Sequence, residues 1–440
     1  KVTNMNSMFE LTGNNSENFT LDVSNFDTSN VTNMNGMFSG AGCNSENFTL
    51  DVSNFDTSNV TDMGGMFGSA GYNSTNFTLD LSNFDTSNVA DMSGMFSQIG
   101  YNSSNFTLDV SSFDTSNVTN MSSMFQAVGY SNPNFVLDLS SFDTSKVTNM
   151  RYMFYQIAKA NDSFSLDLSS FDTSKVTFMD SMFVDSSVNM IYVSDKWNTS
   201  LVTSSDSMFF SCDNLVGALG TKLISSSTNA SYAIVDGGSG SPGYLSYRPN
   251  GYKMLNSIQS SGSQYIDTGF VPTGEDLKLE LIYTQTKVTG SNSLFGNESN
   301  SSGRQWSIVS YRGSNATTQS HWVGTTSSSN HITTDIYYRY RYILEANNGS
   351  LTIWNNGNYS NSTYTGSLLK KHNIFIFAND IDGTAGQYSH MKLYFFRMYD
   401  NGNIVRNFVP CINESGQYGL YDYITQQFYP NRGSGSFTGT

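Results

Sequence analysis

Aspartate recurs every 29 residues in two series. One comprises Asp22, Asp51, Asp80, Asp109, Asp138 and Asp167; the other comprises Asp27, Asp56, Asp85, Asp114, Asp143 and Asp172. A carboxylate can accept backbone N–H bonds at a turn or helix start, hold a cation, or move a proton. Every member of the second series precedes Thr-Ser, which suits a cap on a turn or helix start. The first series alternates with apolar residues, as in Leu21-Asp22-Val23, and so belongs on the outward face of an extended segment. If successive copies stack, like charges lie about 5 Å apart and repel. Two readings stay open: a strip that binds cations, Ca²⁺ included, or a basic partner; or a solvated face whose carboxylates bond neighbouring Ser and Thr hydroxyls.

The elements that position these residues follow from the same period. FDTS begins at Phe26, Phe55, Phe84, Phe113, Phe142 and Phe171, and a Met-Phe pair keeps the beat from Met8 to Met182, then at Met208 after a shorter step. Such a period marks a stacked repeat. In one copy, Phe19, Leu21 and Val23 alternate with polar residues, as in a strand with one buried face. Val31, Met34, Met37 and Phe38 then suit a short helical stretch, and Gly40 and Gly42 end it. No copy can bury these residues alone, so stacking must form Met, Phe and Leu columns. The expected class is mainly β: a solenoid over 1–236, a closing turn and linker over 237–250, and a further domain over 251–440.

Composition narrows the functions. Residues 1–250 hold 24 acidic and 8 basic side chains, net −16, whereas 251–440 hold 12 and 13. No basic stripe exists for a nucleic-acid partner. Three cysteines, Cys43, Cys212 and Cys411, are too few for a disulfide framework. Cys43 takes the repeat position of Tyr72, Tyr101 and Tyr130, which suggests a core thiol. No run of about 20 apolar residues could span a membrane. Val2-Thr3-Asn4-Met5 matches Val31-Thr32-Asn33-Met34, so the chain is expected to start inside a coil, as a processed or partial product. An uncapped coil would invite self-association, which motivates an alternative role as subunit of an extracellular filament, sheath or phage fibre.

The string LDLSNFDTSNVADMSGMF, Leu79 to Phe96, resembles the repeat of BspA-like leucine-rich-repeat surface proteins. Tyr232-Ala233-Ile234-Val235-Asp236-Gly237-Gly238 is similar to the segment that closes their repeats. The resemblance covers about residues 1–247 and implies a secreted or surface-attached protein used in adhesion or host contact.

Beyond it, short alternating segments such as Leu277 to Tyr283, Ser350 to Trp354 and Met391 to Met398 are separated by Gly/Asn turns, and predict an antiparallel sandwich or jelly roll. Ile258 to Gly269, and Met398 to Gly402 with Arg406 to Cys411 and Gly419 to Asp422, resemble concanavalin A-like, LamG-type domains of gut bacterial surface proteins and their phages. That resemblance implies binding of glycans or proteins through loops at one edge. Trp306 and Trp322 could stack on sugar rings or fill the core. Asp380 and Asp382, in Asn379-Asp380-Ile381-Asp382-Gly383, could line a calcium loop or a plain turn. A glucanase needs two carboxylates flanking the scissile bond. No E-x-D-x-x-E run occurs, Glu280 and Glu345 are isolated, and the four histidines lack metal-ligand spacing, so no catalytic role is expected.

Sequons occur at Asn18, Asn47, Asn76 and Asn105 (NFT) and at Asn73, Asn102, Asn161 and Asn297. Glycans on coils about 5 Å apart would crowd one another. The expectation is a non-enzymatic extracellular or virion-surface protein, the solenoid a stalk and the second domain a head that binds a glycan or a cell-surface protein.

Overall fold

The computed structural model describes residues 1–273, 276–287, 292–299, 304–312, 317–323, 326–334, 338–356, 358–363 and 372–440; the side chains of 298–337 and of Asn358 lie outside that description. The protein is mainly β, and it divides into Lys1–Arg248 and Pro249–Thr440. Among the described residues no helix is long and apolar enough to cross a membrane.

The first unit is a solenoid. Parallel bridges join Asn4, Asn33, Asp62, Asp91, Asn120, Asn149, Phe178 and Ser204 in series, one per coil. The expected columns form its core: Met34, Met63, Met92, Met121, Met150 and Met179 are fully buried, as are Met37 to Met182 in their register. The Phe38, Phe67, Phe96, Phe125, Phe154, Phe183 and Phe209 rings stack, with neighbouring centroids 5.4–6.1 Å apart. Alternation also appears as expected, Phe106, Leu108 and Val110 facing inward while Thr107 and Asp109 face out.

The stretch expected as helical is instead a run of consecutive turns. The N–H groups of Met34, Gly36, Phe38 and Gly40 donate to Asp62, Gly64, Met66 and Gly68 of the next coil at 2.7–2.9 Å. Between them, Met37, Ser39 and Ala41 donate to carbonyls three residues back. A helix needs each N–H bonded four residues back; here every second one bridges coils. Left-handed residues therefore recur, including Ser69, Gln98, Ser123 and Tyr152. At Gly100 (φ +54°) a Cβ would meet the Phe106 ring at 2.7 Å, so only glycine fits that turn.

The solenoid closes over residues 213–248. Asp236, 4% exposed, accepts the N–H groups of Leu219, Thr221 and Gly238 and the Thr221 hydroxyl. The buried Tyr244 hydroxyl donates to Ser227 O and accepts from Ile224 N–H. Part of the segment read as linker, Leu245–Tyr247, pairs in parallel with Met190–Val193, because Tyr244 and Leu245 have an apolar end to cover despite their Gly/Ser/Pro surroundings.

The second unit holds two antiparallel-rich sheets. One orders Asn358–Thr363, Ser350–Asn355, Arg339–Asn347, Asp276–Lys287, His390–Asp400, Asn403–Asn413, Tyr418–Asp422 and Gln427–Pro430. The other orders Thr326–Thr334, Thr317–Val323, Arg304–Arg312, Asn292–Ser299, Phe375–Ile376 and Ile266–Asp267. Neighbours distant in sequence, such as Asp276–Lys287 beside His390–Asp400, give the crossovers of a jelly-roll-like sandwich. Leu277, Leu279, Leu281, Leu294, Phe295, Met391, Leu393, Phe396 and Phe408 form its core.

Candidate functional site

A cleft of about 500 Å³ opens in the second unit, lined by Gly262, Ser263, Tyr265, Gly383, Thr384, Ala385, Tyr388, Arg432, Gly433 and Ser434. Three turns build it. Gln264, 1% exposed, locks the first: its Oε1 accepts the Ser260 hydroxyl and Ser261 N–H, while its Nε2 donates to Ser434 O at 3.1 Å. Asn431 locks the second by accepting Tyr265 and Gly433 N–H groups at 3.1 and 2.8 Å. Ser434 N–H to Ser263 O and Arg432 N–H to Tyr265 O zip the two together. The third wall is the hairpin joining Asn379–Ile381 to Thr384–Gly386. Its turn is fixed by Gly383 N–H donating to Asp380 Oδ1 at 2.6 Å. Bonds within and between the turns hold the walls before any ligand arrives, which lowers the ordering cost of binding.

Two aromatic rings face this region. Tyr265 packs against Phe375 at 4.8 Å and Tyr388 at 6.1 Å, and burial pushes its hydroxyl pKa up. The Tyr388 hydroxyl donates to Ala385 O. Small residues, hydroxyls and rings together make a surface that can stack on a ring and bond its hydroxyl groups. Arg432 is the cleft's one cationic lining residue.

The calcium reading of Asp380 and Asp382 is not supported by their placement. Asp380 is buried, and that burial raises its pKa towards the neutral acid. Asp382 stands 3.5 Å from His372 Nε2. Among the described residues no three metal-ligating side chains converge. Trp306 and Trp322 lie on strands whose side chains are outside the described ones. Glu280, its side chain 2% exposed, pairs with Arg341 at 2.6 Å.

On the solenoid, the outward aspartates are bonded within their own coil. Asp22, Asp51, Asp80, Asp109, Asp138 and Asp167 each accept the N–H of the Ser two residues on, at 2.9–3.0 Å. The serine hydroxyl, then its N–H, hold Asp22 and Asp51 below the ordinary carboxylate range; for Asp80 and Asp109 the N–H leads. These local bonds outweigh the opposing push from neighbouring aspartates. Arg248 sits 3.4 Å from Asp167. Cys43 is half-exposed rather than a core thiol, its Sγ 3.3 Å from Asn14 Oδ1, because the Tyr72–Tyr101–Tyr130 register is a half-buried ridge with rings 4.5 and 4.2 Å apart.

The sequon asparagines are largely engaged. Asn47 donates its amide to Asn18 and Asn76 to Asn47; Asn73 donates to Asn44 and Asn102 to Asn73, at 2.5–2.8 Å. Asn44, which lies in no sequon, makes bonds of the same kind to Asn14 and Asn15 at 2.7 and 3.1 Å. Asn161 and Asn297 are buried and donate to Phe135 O and His372 O, which removes them as acceptors on the folded chain. Asn105 is exposed.

Sequence reasoning passed over the cleft. Its signal was the Asn431-Arg432-Gly433-Ser434-Gly435 turn, which reads as punctuation until Tyr265 and Tyr388 are brought beside it.

No curated protein matches the chain. Among solved structures it is similar to the SAP-like pentraxin of Limulus polyphemus (12% identity, TM-score 0.26, covering 33% of this chain and 74% of that one). It is also similar to the CBM40 of the Ruminococcus gnavus IT-sialidase (15%, 0.26, 34% and 90%) and to the extracellular region of zebrafish Gpr126 (13%, 0.28, 42% and 26%). One family model matches residues 1–101, 41–161, 71–187 and 100–222, together half of the sequence, and the chain therefore belongs to the family described as "Mycoplasma protein of unknown function, DUF285".

Proposed function

We propose that this is a non-enzymatic surface protein in which the acidic solenoid is a scaffold and the sandwich binds a saccharide in its cleft. The cleft carries the reading: preset walls, two tyrosine rings and several hydroxyl and backbone groups match the mixed apolar and polar faces of a sugar. A binding role suits the local carboxylates better than hydrolysis. Asp267 accepts Gly269 N–H and the Asn373 amide, Asp380 is buried and accepts Gly383 N–H, and neither is among the residues that line the cleft. The resemblance of the repeats to BspA-like surface proteins, and of the sandwich to LamG-type domains, supports a surface location and an adhesive role.

The test is a glycan array probed with the whole chain, followed by titration of each hit against Tyr388→Ala. Loss of one ring contact should weaken binding about three- to tenfold, from roughly 0.5–1.5 kcal/mol per aromatic contact. The melting temperature should stay near that of the parent. Absence of any bound sugar at millimolar concentration would overturn the reading.

A further inference from the structure

Resting on that reading, we infer that the cleft selects a saccharide bearing a carboxylate, with Arg432 as the group that recognises it. Among the residues lining the cleft, Arg432 is the only one with a permanent charge. Its backbone is fixed, since Arg432 N–H donates to Tyr265 O at 2.9 Å and the neighbouring Asn431 side chain ties both sides of the turn. Its side chain is exposed, and its guanidinium makes no hydrogen bond, ion pair or ring contact with the described residues. Among the described residues, Arg341 pairs with Glu280, Arg397 bonds Asn407, and Arg406 bonds Thr268 O and lies 3.6 Å from Asp422.

Among the described residues no carboxylate forms an ion pair with it. Asp267 Oδ1 is held by Gly269 N–H at 2.8 Å and by the Asn373 amide at 2.9 Å. Asp380 is buried behind the hairpin turn, and Asp382 faces His372. A guanidinium on a fixed turn, beside hydroxyls and two tyrosine rings, offers two parallel N–H donors to a planar carboxylate. The rings and hydroxyls would hold the sugar ring itself. A hexuronic acid or a similar acidic sugar satisfies both halves of the cleft, whereas a neutral hexose leaves the guanidinium to water.

Calorimetric titration of the whole chain separates the possibilities, using glucuronic- and galacturonic-acid oligosaccharides and their neutral glucose and galactose counterparts as probes. The acidic sugars should bind about tenfold tighter than the neutral ones, as one charge-assisted pair implies. Their affinity should fall as salt rises from 0.05 to 0.5 M. Arg432→Gln should erase the preference for acidic over neutral sugars with the melting temperature unchanged, and Arg432→Lys should keep part of it. Sugars that bind with no acidic preference, or a preference that survives in Arg432→Gln, would overturn this inference and leave the saccharide-binding function standing. If no sugar of either kind binds, both fall.

Discussion

The threonine of each FDTS block ties coils together at the scale of single atoms. Thr115, 1% exposed, donates its hydroxyl to Asp143 O and accepts Asp143 N–H, both at 2.9 Å. Thr28, Thr57, Thr86 and Thr144 repeat the donation to the next coil's aspartate carbonyl. Thr115→Val keeps the shape but orphans both backbone groups, and should cost about 1–3 kcal/mol in urea unfolding. A change within 0.3 kcal/mol would show that water replaces the hydroxyl. The aspartate beside it was legible as a cap, and Asp114 does accept Ser116 N–H at 2.9 Å. The role of the threonine was not legible, because its partner lies 28 residues away and sequence patterns report neighbours along the chain.

At the scale of the coil, spacing alone misreads the backbone. Apolar residues at Val31, Met34, Met37 and Phe38 fit one face of a helix, and all four are buried. Consecutive turns place the same residues inward while releasing alternate N–H groups to the next coil, an option open only when a next coil exists. Stacking thus overrides the local preference. The Phe column should then be the element's main source of stability. Phe96 is fully buried between Phe67 and Phe125, with centroids 6.1 and 6.0 Å away. Phe96→Ala should cost about 3–5 kcal/mol. Because each coil touches only its neighbours, the loss should broaden the transition of the first unit while leaving that of the second unchanged in differential scanning calorimetry. An unchanged first transition would mean that the column relaxes to fill the gap.

For the molecule as a whole, acid should act on the solenoid aspartates and on Asp380 with opposite sign. Bonds from Ser hydroxyls and N–H groups hold Asp22, Asp27, Asp51, Asp56 and Asp85 below the ordinary carboxylate range. Their folded forms bind protons less readily than the unfolded chain. Their stabilisation is therefore full above the unfolded pKa of about 3.9 and is lost as pH falls through the depressed values. Asp380 runs the other way: burial raises its pKa, so its contribution is present at low pH and is lost as pH rises through the raised value. The melting temperature of the first unit should stay level down to about pH 5 and drop below pH 4. Asp380→Asn, which keeps the oxygen that accepts Gly383 N–H, should raise the second unit's melting temperature at pH 7, with the gain shrinking towards pH 4. A gain that is independent of pH would contradict the assignment.

The 29-residue period by itself determined the mainly β class, the stacking of coils and the identity of the Met and Phe columns, since a strict repeat forces each residue beside its own copy. It also marked both aspartate series as structural or surface groups. Only the tertiary structure showed each Asp accepting the N–H of its own Ser two residues on. Only the tertiary structure made the cleft, too. Residues 262–265, 383–388 and 432–434 carry no period and read one by one as Gly/Ser turns. They meet because the sandwich crossovers bring together three turns, the first two more than a hundred residues apart along the chain. Long-range pairing of that kind leaves no local trace, so a binding surface built from it is visible only in three dimensions.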